Sequence, residues 1–299
     1  MSTPPPDADR PPLLGRLRRV AGFTLLITGA LLLAGALLGS GGNSDIASEL
    51  THVTDAASHT AFATPRGPGP RVRATTGEGR CAIRAEAAPE PAARIALSMT
   101  APCHARSRVD VVQGPLAVTT LLDDEGRGEL ILPALAEAPL IAVIVEDAEA
   151  LTLQTWVTDF GLYERAVLQW GGGVGLGLHA FENDATWGDP GHVGPESPRD
   201  ADYAMQGMGG FLTQLGDPSV SDGLGALVYT APQGVRAALT LEAAVTSETC
   251  GQSIDAAAFR VGPGLDAEPR SVTMTVPGCQ AVGDSVLIDG VLGSVGARD

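Results

Sequence analysis

The chain has 299 residues: 19 arginines and no lysine against 35 aspartates and glutamates, a formal charge of −16, with 38 glycines, 22 prolines and 4 cysteines. That balance excludes a nucleic-acid partner, because a phosphate backbone needs clustered cations and the arginines cluster only within the first 20 residues. A composition of 44% hydrophobic and 18% charged residues excludes disorder throughout and leaves room for one or two folded domains.

Residues 20–39 read VAGFTLLITGALLLAGALLG and carry no charge. As a helix rising about 1.5 Å per residue, this run spans roughly 30 Å, the thickness of one hydrocarbon core. Arg10, Arg16, Arg18 and Arg19 precede it and the next basic residue is Arg66. The positive-inside rule therefore makes residues 1–19 a cytoplasmic tail and puts the rest outside, as a single-pass inner-membrane protein with a periplasmic C-terminal region. Ala34-Gly35-Ala36 keeps a cleaved signal peptide open as the rival reading, and Gly35 with Gly39 would permit close helix pairing. Residues 40–79 are polar and rich in Gly, Ser, Thr and Pro, a flexible linker by composition.

Beyond the linker, apolar residues recur with period two, the mark of half-buried strands. Ile95, Leu97 and Met99 oppose Arg94, Ser98 and Thr100, and Leu239, Leu241, Ala243 and Val245 oppose Thr240, Glu242 and Thr246. No convincing 3.6-residue stripe follows residue 60. The pattern predicts an all-β protein of two β-sandwich-like modules. The first module, 80–158, has strands near 80–87, 93–100, 107–113, 115–121, 128–134, 139–145 and 150–157. The second, 159–299, has strands near 165–170, 174–181, 225–231, 236–246, 270–277 and 284–292, with an insertion loop at 182–222.

Cys81, Cys103, Cys250 and Cys279 are even in number and lack metal-site spacing, which fits disulfides in an oxidising compartment. Three connectivities are possible. Sequence proximity, and a hairpin turning at Pro89–Pro91, favour 81–103 and 250–279, each closing a loop that stabilises by about 3 kcal/mol in the chain-entropy model.

Two resemblances follow from particular residues. The stretch Thr119-Thr120-Leu121-Leu122-Asp123-Asp124-Glu125-Gly126-Arg127-Gly128-Glu129-Leu130, with Leu132-Pro133-Ala134-Leu135, resembles the strand–acidic turn–strand of transthyretin-like or carboxypeptidase-regulatory domains, which implies a non-catalytic spacer or binding module. Thr100-Ala101-Pro102-Cys103-His104, the segment 161–170, Gly188-Asp189-Pro190-Gly191-His192-Val193 and Thr275-Val276-Pro277-Gly278-Cys279 resemble an uncharacterised family of exported, membrane-anchored bacterial β-rich proteins often labelled "translocase". That likeness implies a place in the envelope, and one span with a β exterior is poor material for a pore.

The densest chemistry lies between His179 and His192. His179, Asp184, Asp189 and His192 form a candidate mixed N/O set for a divalent metal, although the spacing matches no HExxH or calcium-loop motif. Half of the aromatics, Trp156, Phe160, Tyr163, Trp170, Phe181 and Trp187, fall between residues 156 and 187, where they fill cores and the seam between modules or line a groove. Trp187, Met205, Met208 and Phe211, in or beside the insertion, are candidates for a binding surface. Gly283-Asp284-Ser285-Val286 is similar to the nucleophile block of a family of lipases and esterases, yet no downstream Asp-x-x-His and no GxSxG accompany it. The leading expectation is thus a non-enzymatic, membrane-anchored periplasmic binding or scaffolding protein with an envelope protein partner and no cofactor. The alternative is a divalent-metal-dependent envelope enzyme using the His179–His192 segment.

Overall fold

The structure, a computed structural model, describes residues 69–296. The expected cytoplasmic tail, the 20–39 span and residues 40–68 lie outside the described residues, among which no helix is long and apolar enough to cross a membrane.

The described residues are almost entirely β. In chain order the strands are β1 (Val72–Thr76), β2 (Ile83–Glu90), β3 (Arg94–Thr100), β4 (Arg108–Gln113), β5 (Leu116–Leu121), β6 (Arg127–Pro133), β7 (Leu140–Val145) and β8 (Leu151–Gln154). There follow β9 (Tyr163–Gly171), β10 (Leu176–Glu182), β11 (His192–Val193), the short helix α1 (Ala201–Met205) and β12 (Phe211–Leu215). The last five are β13 (Leu224–Pro232), β14 (Ala237–Ala244), β15 (Ser253–Val261), β16 (Arg270–Thr275) and β17 (Ser285–Val295). Residues 72–154 make two antiparallel sheets, ordered β1-β2-β3-β6 and β5-β4-β7-β8. Residues 163–295 make two more, ordered β12-β13-β9-β15-β16 and β11-β10-β14-β17.

The period-two rows explain the strands. Ile95, Leu97 and Met99 of β3 all lie inside the first core, each stabilising the fold by roughly 1.5–3 kcal/mol through burial. That core is closed by Val109, Val111, Val118, Ile141 and Val143 from the facing sheet. It also runs past residue 159, where the sequence suggests a boundary, and takes in Tyr163, Val167, Val228, Phe259 and Val261. The opposite face of the same third sheet, with Ala166, Leu168, Trp170, Leu227 and Tyr229, belongs to a second core shared with Leu178, Leu239 and Leu241 of the fourth sheet. The central strands of the third sheet, β9 and β13, are therefore buried on both faces.

Some elements leave little trace in the pattern. β15 reads SIDAAAFRV, where only Ser253 and Asp255 are exposed and a run of three alanines, buried at every position, gives no alternation. β1 falls within the expected linker, since a five-residue VRATT beside a Pro/Gly-rich stretch gives little signal; Val72 and Ala74 pack on the first core all the same. The insertion is not featureless either: it carries β11, α1 and β12.

Both favoured cystines are present, Cys81–Cys103 and Cys250–Cys279, with Cα atoms 5.2 and 4.8 Å apart. The acidic turn before β6 is built on Asp123, whose carboxylate accepts from the amides of Glu125 and Arg127, while Gly126 takes φ +73° against the Ala101 carbonyl. Those bonds and the Arg127 guanidinium hold the Asp123 carboxyl below its usual pKa, although burial acts the other way.

Buried polar groups tie the first two sheets to the third. Gln169 of β9 accepts from the Ala117 amide at 2.7 Å, and Thr119 accepts from the amides of Leu224 and Asp217. Arg165 of β9 is fully buried; its guanidinium donates to the carbonyls of Tyr163 and Ala93 and lies 5.0 Å from the Phe160 ring centre, while its Nε has no partner.

Candidate functional site

The β10–β11 and β14–β17 registers assemble a polar cluster on the outward face of the fourth sheet. Along β10, Leu176, Leu178 and Ala180 enter the second core, so His179 and Phe181 face outward. Pairing of Phe181 with His192 puts one ring over the other at 4.7 Å, and pairing of His179 with Thr240 sets Glu242 diagonally beside His179. β17 then brings Ser285 opposite Ala244, within reach of Glu242.

The result is a continuous chain of contacts. Ser285 donates to Glu242, Glu242 Oε2 lies 2.7 Å from His179 Nε2, and His179 Nδ1 lies 3.0 Å from His192 Nε2. The Gly188 amide donates to His192 Nδ1 at 3.4 Å. One set of hydrogens satisfies every contact: His192 carries its proton on Nε2, His179 on Nε2, and Glu242 is ionised and accepts twice. Burial acts to raise the Glu242 pKa, but hydrogen bonds from Ser285 and His179 outweigh it and leave the carboxyl below its usual value. Burial and the neighbouring His179 lower the pKa of His192.

His179 is outward-facing yet only 5% exposed, because the loop after β10 folds over it. Trp187 sits 4.5 Å from the His179 ring and 4.8 Å from that of His192, and remains 51% exposed. Two glycines allow the close approach. A Cβ on Gly177 would fall 2.8 Å from His179 Nε2, and one on Gly194 would fall 2.6 Å from Nδ1.

Behind this cluster stands a second network that the sequence gives no hint of. Glu182, the next inward position of β10, is buried and accepts from the Tyr229 hydroxyl and the Gly210 amide, both at 2.6 Å, and from Arg199 at 2.8 Å. Arg199 also donates to the carbonyls of Gly210 and Pro190 and stacks on Tyr203. Burial, then the Glu182 carboxylate, pushes the Tyr229 hydroxyl pKa far above normal, so it stays a donor. One carboxylate thus pins the 182–222 insertion at Arg199 and Gly210 to β10 and β13, and Arg199 adds Pro190.

The expected metal set separates. His179 and His192 meet, whereas Asp189 accepts from the amide and hydroxyl of Thr186, which lower its pKa, and Asp184 is an exposed turn residue at φ +62°. Among the described residues no group of three or more His, Cys, Asp and Glu side chains is placed to share a metal ion. Ser285 touches a carboxylate rather than an imidazole, so no nucleophile–base pair is formed there. Of the candidate surface residues, Trp187, Met205 and Met208 are exposed, and Phe211 is a core residue of β12, 3% exposed, because its strand turns that side chain into the first core. Glu242 could have been found from the period-two row it shares with Thr240, had the β10–β14 register been known.

Comparison with protein-family models, curated proteins and solved structures finds no match for this chain.

Proposed function

We propose that this protein is a non-enzymatic binding or scaffolding element of the cell envelope, anchored in the inner membrane by residues 20–39 with its N-terminus cytoplasmic and its two β-sandwich-like modules in the periplasm. The arginine-flanked apolar run supports the anchor and orientation, and the two cystines fit an oxidising compartment. The observation that carries the binding role is the bracing of the insertion. Trp187, Met205 and Met208 are large apolar side chains, 44–51% exposed, on a segment fastened to the sheets by the buried Glu182–Arg199–Tyr229 network. A loop held in one geometry loses little entropy on binding, and thioether and indole side chains suit a protein contact. The acidic Asp123 turn fits the spacer role implied by the transthyretin-like resemblance.

The test is photo-crosslinking in the native host, with a photoreactive amino acid at Met208 or Trp187 and a control at Leu287, which is 46% exposed on β17. A discrete adduct with one envelope protein from the insertion positions and none from the control is expected. No adduct, or the same adducts from all three positions, would contradict the reading.

A further inference from the structure

We propose that His179 Nδ1 and His192 Nε2 together bind a divalent d-block cation, with Glu242 orienting His179 from outside the coordination shell. Two imidazole nitrogens at about 2.0–2.1 Å from a tetrahedral ion stand about 3.3–3.4 Å apart. The pair already stands 3.0 Å apart, so a few tenths of an ångström of separation, with each ring turned to aim its nitrogen off the line between them, admits the ion.

The surrounding chemistry matches a ligating histidine. A metal-bound imidazole characteristically donates its other N–H to a carboxylate, which fixes the tautomer and turns the free lone pair toward the ion. His179 does this: Nε2 is held by Glu242 Oε2 at 2.7 Å, Glu242 is held in turn by Ser285, and Nδ1 is left facing His192. Space beside the two nitrogens is kept clear by Gly194, whose absent Cβ would stand 2.6 Å from His179 Nδ1 and 3.3 Å from His192 Nε2. Binding moves the His192 proton from Nε2 to Nδ1, replaces the 3.0 Å hydrogen bond between the two imidazoles by two metal–nitrogen bonds, and gives up the Gly188 contact, at 3.4 Å the longest in the chain. Two imidazoles favour Zn²⁺, Cu²⁺ or Ni²⁺ over Mg²⁺ or Ca²⁺. With no third protein ligand among the described residues, water or an exogenous donor completes the shell.

The test is calorimetric titration of Zn²⁺ and Cu²⁺ into the untagged, full-length, detergent-solubilised protein after chelator dialysis, with Co²⁺ absorption as a spectroscopic check. One saturable equivalent is expected, lost in His192→Ala and weakened about 10–100-fold in Glu242→Gln. Asp184→Asn with Asp189→Asn should leave it unchanged, which separates this site from the carboxylates of the loop. His192 is only half-buried, so its variant is expected to fold, with unchanged thermal unfolding as the control. No saturable binding in the wild type, or equal affinity in folded His192→Ala, overturns the proposal; the latter would assign the metal to His52, His59 or His104 instead.

Discussion

Arg165 is the residue at which stability and burial pull hardest against each other. Desolvation pushes its pKa down to about 10, with the charges of Asp159 and Tyr163 acting the other way. A base whose folded pKa is depressed disfavours folding at every pH below it, here by about 3 kcal/mol, and the penalty shrinks as pH rises through about 10. Two long carbonyl bonds and the Phe160 ring only partly offset this, and Nε has no partner. Arg165→Met should therefore raise stability by about 1 kcal/mol or more in denaturant unfolding at neutral pH, while Arg165→Ala lowers it by leaving a cavity. The gap between Arg165→Met and wild type should stay constant across neutral pH and begin to narrow only as pH rises above about 10. Glu182 is the opposite case, a buried carboxylate with every partner in place. Arg199→Ala strands that charge and should cost about 3–5 kcal/mol, with faster hydrogen exchange across 183–210 as the local signature; Glu182→Gln should cost less. The period-two pattern puts His179 on the face opposite the apolar row, where the structure has it; that a loop covers this face is not legible, because burial by a loop leaves no periodic trace. The hairpin expected at Pro89–Pro91 turns at 91–93, where Ala92 and Ala93 take φ +62° and +49° without a glycine or asparagine to announce that geometry, held by the Asp159 carboxylate on the Ala93 amide.

At the scale of elements, strands with a sustained apolar run are legible in the sequence, including β9, β10 and β13, which are covered on nearly every position, whereas the short strands β1, β11 and β12 and the alanine-rich β15 are not. β3 to β7 fall within a residue or two of expectation; β3, β4 and β7 alternate over five or more positions, and β5 is an apolar run bounded by turns. β15 alternates only over Ser253–Ala256, too short a stretch to read. The Cys250–Cys279 cystine joins the turn after β14 to the short helical turn before β17, so it closes the loop holding β15 and β16. Replacing both cysteines by serine should cost about 3 kcal/mol in chemical denaturation. Amides of 279–296 should exchange faster than those of β9, whose partners lie on both sides; uniform protection throughout would contradict this local role.

At the scale of the whole molecule, the third sheet joins what the sequence divides. The expected boundary near residue 159 is a real break in strand pairing among the described residues, since no strand of 72–154 pairs with one of 163–295, yet the first core passes straight across it through Val167, Val228 and Phe259. A sequence shows where pairing stops; it cannot show that a sheet from one half supplies a wall to the other. Phe259→Ala should thus lower stability by about 3–5 kcal/mol and destabilise residues 83–153 along with its own sheet, seen as a single unfolding transition with loss of protection in both halves. Two resolved transitions, with only the second moved, would show that the halves fold independently.

The proposed envelope location requires the folded region to mature outside the cytoplasm. Intact cells of the native host, quenched in acid and then unfolded in the presence of a mass-tagged thiol reagent, report this directly. The four cysteines should all resist the tag until reductant is added, after which the chain gains four tags. Full tagging without reductant would contradict the account.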